Sequence, residues 1–278
     1  MKEHSLLAGL VVSTIALSAA NASASNAAQV FGMSSSSAGV TYDNASGAYP
    51  VINQILCVGG QTVNGYSYSA TAWTELAQDS TGGLELYGAL PNGYTPTVGD
   101  AIQATGTYSP YHQVPELGTL TSLTLLSQGN VGAPAQLATI SQVNVATLPQ
   151  SVAGQWLQLD DVTISAGAAG DSTITAGETF GTANLTLTIT DGSDNSMTFY
   201  YNPKNYSLAN QDLFGKAILT GQAVDMQGIA SVYPTGTVPE FIGMQFTPDP
   251  TPTPEPTTWG LCGVGGALTL LLRLRRKA

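Results

Sequence analysis

Polarity alternates residue by residue through much of this chain, and no long apolar stripe recurs at the helical period. Leu185-Thr186-Leu187-Thr188-Ile189 is the cleanest case, with an aliphatic side chain at every second position. Such a run puts one strand face on a core and the other in solvent. Comparable short runs occupy 61–69, 71–78, 83–87, 98–108 and 117–126, and then 156–164, 197–201, 217–223 and 229–233. Gly, Asn-Gly and Asp-Gly turns punctuate them, as expected between strands. The expected fold is all-β.

A weak internal repeat divides the strands into two sets. Residues 51–55 echo 139–143, and 99–106 echo 215–221. The second unit is the longer, and the Gly- and Ala-rich stretch 166–180 suits an inserted loop. The boundary falls at 129–134. This predicts a first β-domain over 49–130 and a second over 131–240. A Ser/Gly-rich lead-in (25–48) precedes them, and a Pro/Thr-rich spacer (241–256) follows.

Charge narrows the partners. Between residues 29 and 246 stand Lys204 and Lys216 against fifteen Asp and Glu, with no Arg. Nucleic-acid affinity depends on Lys and Arg neutralising phosphates, so no nucleic-acid partner is expected. Acidity of this kind favours solubility and the attraction of cations.

The two ends read as addresses. Lys2, the apolar run 6–20 and the small residues Ala22-Ser23-Ala24 form a signal peptide (1–24) with an A-x-A cleavage site; Asn26-Ala27-Ala28 is an alternative. At the other end, Thr-Pro repeats lead to Pro254-Glu255-Pro256, an apolar stretch over 259–272, and the basic end Arg273-Leu274-Arg275-Arg276-Lys277. The spacer suits an extended polyproline-like conformation, and the apolar stretch a single transmembrane helix with its basic end cytoplasmic. The order of these features resembles the PEP-CTERM sorting signal of Gram-negative bacteria, with Pro254, Glu255 and Pro256 on the motif and Arg273, Arg275 and Arg276 on its basic end. The resemblance, over 254–278, implies an exosortase as processing partner. It also implies an inner-membrane-anchored precursor and a destination at the cell surface or in the extracellular, exopolysaccharide-rich biofilm matrix.

A second resemblance lies in the body. Gln78-Asp79-Ser80-Thr81-Gly82-Gly83, followed by Val98-Gly99-Asp100 and Thr105-Gly106-Thr107, is similar to the OB-fold domains that accompany secreted bacterial nucleases. The second half is a degenerate version, with Thr190-Asp191-Gly192 in place of the first turn. The resemblance implies two tandem OB-like barrels. The motif itself is structural: Asp79 caps a turn, Gly82 and Gly83 allow positive φ in a hairpin, and Gly99 and Gly106 bracket a curved strand.

Chemistry is sparse. The body holds one histidine, His112, and one cysteine, Cys57, which excludes triads and common zinc sites. Cys57 suits a small buried hydrophobe. Asp160-Asp161, the one adjacent acidic pair in the body, points to opposite strand faces, and Asp191-Gly192-Ser193-Asp194-Asn195 suits a hairpin turn better than a calcium loop. No catalytic residue, metal ligand or cofactor is assigned. Tyr66, Tyr68, Trp73, Tyr108 and Tyr111 are the candidates for carbohydrate contact, with Tyr200, Tyr201 and Tyr206 around a later turn. The expected function is a non-enzymatic structural or carbohydrate-contacting role outside the cell. Two alternatives stand: an accessory module of a secreted nuclease or phosphoesterase system, and a glycan-active enzyme using carboxylates such as Glu75, Glu85 or Asp100.

Overall fold

The computed structural model describes residues 24–43, 49–63, 66–67, 71–165, 172–174, 178–204, 206, 213–233 and 238–248. Most of the expected signal peptide lies outside the described residues. So does the tail with Pro254, Glu255, Pro256, Arg273, Arg275 and Arg276. Among the described residues no helix is long and apolar enough to cross a membrane.

The first half runs β1 (Ala24–Ser25), α1 (Ala27–Phe31), β2 (Ser37–Tyr42), β3 (Val51–Cys57), β4 (Thr62–Val63), β5 (Tyr66–Ser67), β6 (Ala72–Asp79), β7 (Gly82–Ala89), β8 (Ala101–Tyr108) and β9 (Glu116–Ser127). The second runs β10 (Gln136–Ala138), α2 (Ile140–Val143), β11 (Leu157–Ser165), β12 (Leu185–Thr190), β13 (Ser196–Tyr201), β14 (Ala223–Tyr233) and β15 (Val238–Pro248). The protein is predominantly β, as the alternation predicts.

Five strands of the first half close on themselves in the order β3-β6-β7-β9-β8 and back to β3. Every pairing in this ring is antiparallel except β7 with β9. Closure leaves no exposed edge within the ring. Its interior is filled by Ile52, Ala77, Leu84, Leu86, Ile102 and Leu117, among others. In the second sheet β11-β12-β13-β15-β14 follow the same order, and β14 returns to β11. Here too one pairing in the ring is parallel, β13 with β15, and Phe180, Phe199, Phe241 and Phe246 enter its core.

The lead-in is part of the fold. β2 pairs with β8, β1 runs parallel to β2, and α1 places Ala27 and Val30 in the first core. The true repeat of 139–143 is therefore not the strand at 51–55. Asn26-Ala27-Ala28-Gln29-Val30 and Thr139-Ile140-Ser141-Gln142-Val143 each open a short helix with a capping box, in which the cap side chain and the Gln side chain exchange bonds with each other's backbone N–H. Residues 217–223 likewise contribute isolated bridges at Ala217 and Thr220 and the start of β14 rather than a full strand. Much of the expected spacer is also structured: β15 runs to Pro248, with Phe241, Ile242, Met244 and Phe246 buried.

The barrels pack through a third apolar cluster, in which Leu56 and Leu76 of the first meet Trp156, Tyr206, Ile229, Ile242 and Met244 of the second. β6 is consequently buried on both faces, and its burial does not alternate. Ala77 faces the barrel interior, whereas Leu76 faces the other barrel.

Candidate functional site

The turn after β8 carries the strongest local anomaly. Tyr111 and Val114 exchange backbone bonds of 2.9 Å, closing a two-residue loop at His112 and Gln113, whose φ angles are +50° and +63°. A turn of this kind favours Asn-Gly. Each non-glycine residue held there costs on the order of 1–2 kcal/mol, and such strain persists only where the surroundings over-determine it. The surroundings are the second barrel. Gln113 Nε2 donates to the Ala146 carbonyl, and its Oε1 accepts from Leu148 N, both at 2.8 Å. Val232 N donates to the His112 carbonyl at 2.9 Å.

Keyed in this way, the turn forms one wall of a cleft between the barrels. Tyr111 is 54% exposed and its ring stacks on His112, with centroids 3.8 Å apart and planes inclined by 17°. Tyr200, Asn202, Tyr206, Glu240 and Ile242 line the same cavity, of about 140 Å³. Tyr200 comes from β13, and Glu240 and Ile242 from β15, which runs parallel to it with Thr198 in register with Glu240 and Tyr200 with Ile242. Tyr200 Oη accepts from Asn184 Nδ2 at 2.9 Å, and Ser231 Oγ donates to Glu240 Oε1 at 3.3 Å.

The electrostatics of the cleft favour neutral forms. Burial lowers the pKa of His112 and raises that of Glu240, the latter opposed by the Ser231 hydrogen bond. Burial, aided by the nearby Glu85 and Glu240 carboxyls, raises the Tyr206 phenol well above its ordinary value. The cleft therefore offers aromatic faces, hydroxyls, an amide and one carboxyl.

The structure distributes the sequence-level candidates unevenly. Tyr111 lines the cleft. Tyr108 is buried in the first core, its hydroxyl 3.5 Å from the Phe31 carbonyl, which removes it from any surface platform. Trp73 is half-buried on β6. Tyr66 lies on β5, and Tyr68 falls outside the described residues. Tyr201 is buried, donating to the Gly181 carbonyl. Tyr200 and Tyr206 join the cleft, while Asn202 and Glu240 carry no signal in sequence that would bring them there.

The carboxylates lie inside. Glu75 is fully buried, and neither carboxyl oxygen has a hydrogen-bond partner. Burial, and secondarily Glu85, pushes its pKa up to about 8. Glu85 is pushed to about 8 by burial and by Glu116, which itself rises to about 7. Asp100 is 1% exposed and accepts from Thr97 N, Thr97 Oγ1 and the Tyr94 hydroxyl. It is a turn-forming residue. Asp160 and Asp161 are both exposed, because a bulge between Leu159 and Val162 breaks the strand alternation.

The Asp79 turn is structural, as its residues predict. Asp79 Oδ1 accepts from Thr81 N at 2.7 Å and Oδ2 from Ala27 N at 2.9 Å, while Thr81 Oγ1 accepts from Ala28 N at 3.1 Å. Gly83 has a reason other than positive φ. A Cβ there would fall on the Gly154 carbonyl of the second barrel. Asp191 forms the expected hairpin turn, accepting from Ser193 N and Asn195 N at 2.9 and 3.0 Å. Among the described residues, no group of three or more His, Cys, Asp or Glu is placed to hold a metal ion.

Comparison with protein-family models gives no match for the chain, and comparison with curated proteins gives none either.

Proposed function

We propose that this is an exported protein of the bacterial surface or extracellular matrix, sorted by an exosortase through its C-terminal signal. Its body is built of two tandem OB-like barrels with a non-enzymatic structural or carbohydrate-contacting role. The observation that carries the address is the order of Pro254-Glu255-Pro256, the apolar stretch 259–272 and the Arg-rich end. Matching strand rings, each with one parallel pairing, support the paired barrels.

The contents of the body favour contact over catalysis. Glu75, Glu85 and Asp100 are too buried to reach a glycan. OB barrels hold oligonucleotides or oligosaccharides over the face of their second and third strands. On the first barrel part of that face, at Leu76 of β6, is covered by the second barrel. The body also has only Lys204 and Lys216 with which to neutralise phosphates.

The test is intact mass and cell fractionation in the native host, with and without deletion of 254–256. Export reads as a body outside the cell that has lost the segment after the motif. A full-length product retained in the membrane regardless of the deletion would overturn the sorting reading.

A further inference from the structure

We infer that the cleft between Tyr111 and Glu240 is a binding site for a single uncharged sugar ring, presented by a neutral glycan chain. The inference deepens the carbohydrate-contacting role proposed above and rests on it.

Three observations converge. The first is the expense of the wall: His112 and Gln113 sit in left-handed backbone, in a turn that bonds to Ala146, Leu148 and Val232 key to the second barrel. A simple connection between β8 and β9 needs no such strain, and its effect is to fix Tyr111 over the cleft. The second is the exposed Tyr111 ring, stacked on His112. It offers a flat, rigid face, and the C–H face of a pyranose packs on such a surface without any need for charge. The third is the rest of the lining, to which Tyr200, Asn202 and Glu240 contribute residues bearing a hydroxyl, an amide and a carboxyl. Sugar hydroxyls both donate and accept, and this set answers both needs.

Charge selects within the sugars. Among the described residues no Lys or Arg lines the cleft, and Glu240 does. A uronic acid would bring a carboxylate into a partly buried site where no lining cation meets it, which is unfavourable. Nucleotide phosphates are disfavoured for the same reason. A Thr-Pro peptide, the other ligand that aromatic grooves accept, would leave the polar groups unanswered.

The test is calorimetric titration of the full chain in detergent with three probes: neutral hexose and N-acetylhexosamine oligosaccharides, matched uronic-acid oligosaccharides, and a Thr-Pro repeat peptide. A neutral member is expected to bind. Tyr111→Phe keeps the ring and should retain that binding, whereas Tyr111→Ala should weaken it about tenfold or more at unchanged melting temperature. Neutral-glycan binding that survives Tyr111→Ala would overturn the cleft while leaving carbohydrate contact elsewhere intact. Binding of the uronic-acid or peptide probe alone would overturn the ligand class. Failure of every glycan would overturn the carbohydrate reading itself, without touching the sorting signal.

Discussion

Gly83 and Gly154 stand backbone against backbone, each occupying the space where the other's side chain would be. A Cβ on Gly83 would fall on the Gly154 carbonyl; one on Gly154 would lie 2.7 Å from the Gly83 carbonyl and 2.6 Å from Pro115 Cγ. The neighbours are main chain and a proline ring, so neither can swing aside. Gly83→Ala or Gly154→Ala should therefore push the barrels apart, at a cost of about 1–3 kcal/mol. Thermal unfolding measures the loss, and a red shift in tryptophan emission from the buried Trp156 locates it at the junction. Gly192→Ala, with open space around it, should leave both readings unchanged.

Glu75 gives stability an unusual pH dependence. Its pKa rises from 4.5 to about 8 on folding, so the folded chain holds a proton that the unfolded chain releases. Its contribution is fully present below 4.5 and is lost as pH rises through about 8. Urea denaturation should show stability falling across that interval. Glu75→Gln should make the fall shallower, because it removes one titration while keeping the shape; Glu85 and Glu116, raised to about 8 and about 7, account for the remainder. A wild-type curve that rises across the interval would show the carboxyl ionised in the folded protein.

Asp191 works in the opposite sense. Hydrogen bonds from Asn195 and Ser193 hold its pKa below the ordinary value, so its contribution is present at neutral pH and lost as pH falls through the depressed pKa. Asp191→Ala should lower the melting temperature at neutral pH. The gap between variant and wild type should close in strong acid.

Asp79 ties the hairpin between β6 and β7 to α1. Asp79→Ala should release the Ala27 amide, and Thr81→Ala the Ala28 amide, each visible as faster hydrogen exchange at that position. The Asp79 variant should lose about 0.5–2 kcal/mol, the range for a lost helix cap. Unchanged exchange at Ala27 would show that α1 is held by packing alone.

What the sequence discloses depends on how many faces of a strand meet solvent. Residues 185–190 alternate in polarity and in burial alike, and β12 has those same bounds. β6 lies between two apolar environments, so its buried residues include Thr74, Glu75 and Gln78 without a simple period. β15, with Phe241, Ile242 and Met244 buried around Gly243, is hidden for the same reason. The two capped helices are legible in principle, since Asn26 with Gln29 and Thr139 with Gln142 fit the capping-box spacing. They are short enough that strand alternation around them dominates. The cleft is not legible: its residues come from opposite halves of the chain and meet only because the barrels pack.

The order of the strands also sets a timetable. By the time Ser127 has been synthesised, every strand of the first ring exists, whereas the second ring waits for β15 and its bonds to both β13 and β14. Until then Leu56 and Leu76 lack the cover of Ile242 and Met244, and two strands present unpaired edges. A product interrupted before Val238 would carry these open edges permanently, and chains in that condition associate with one another.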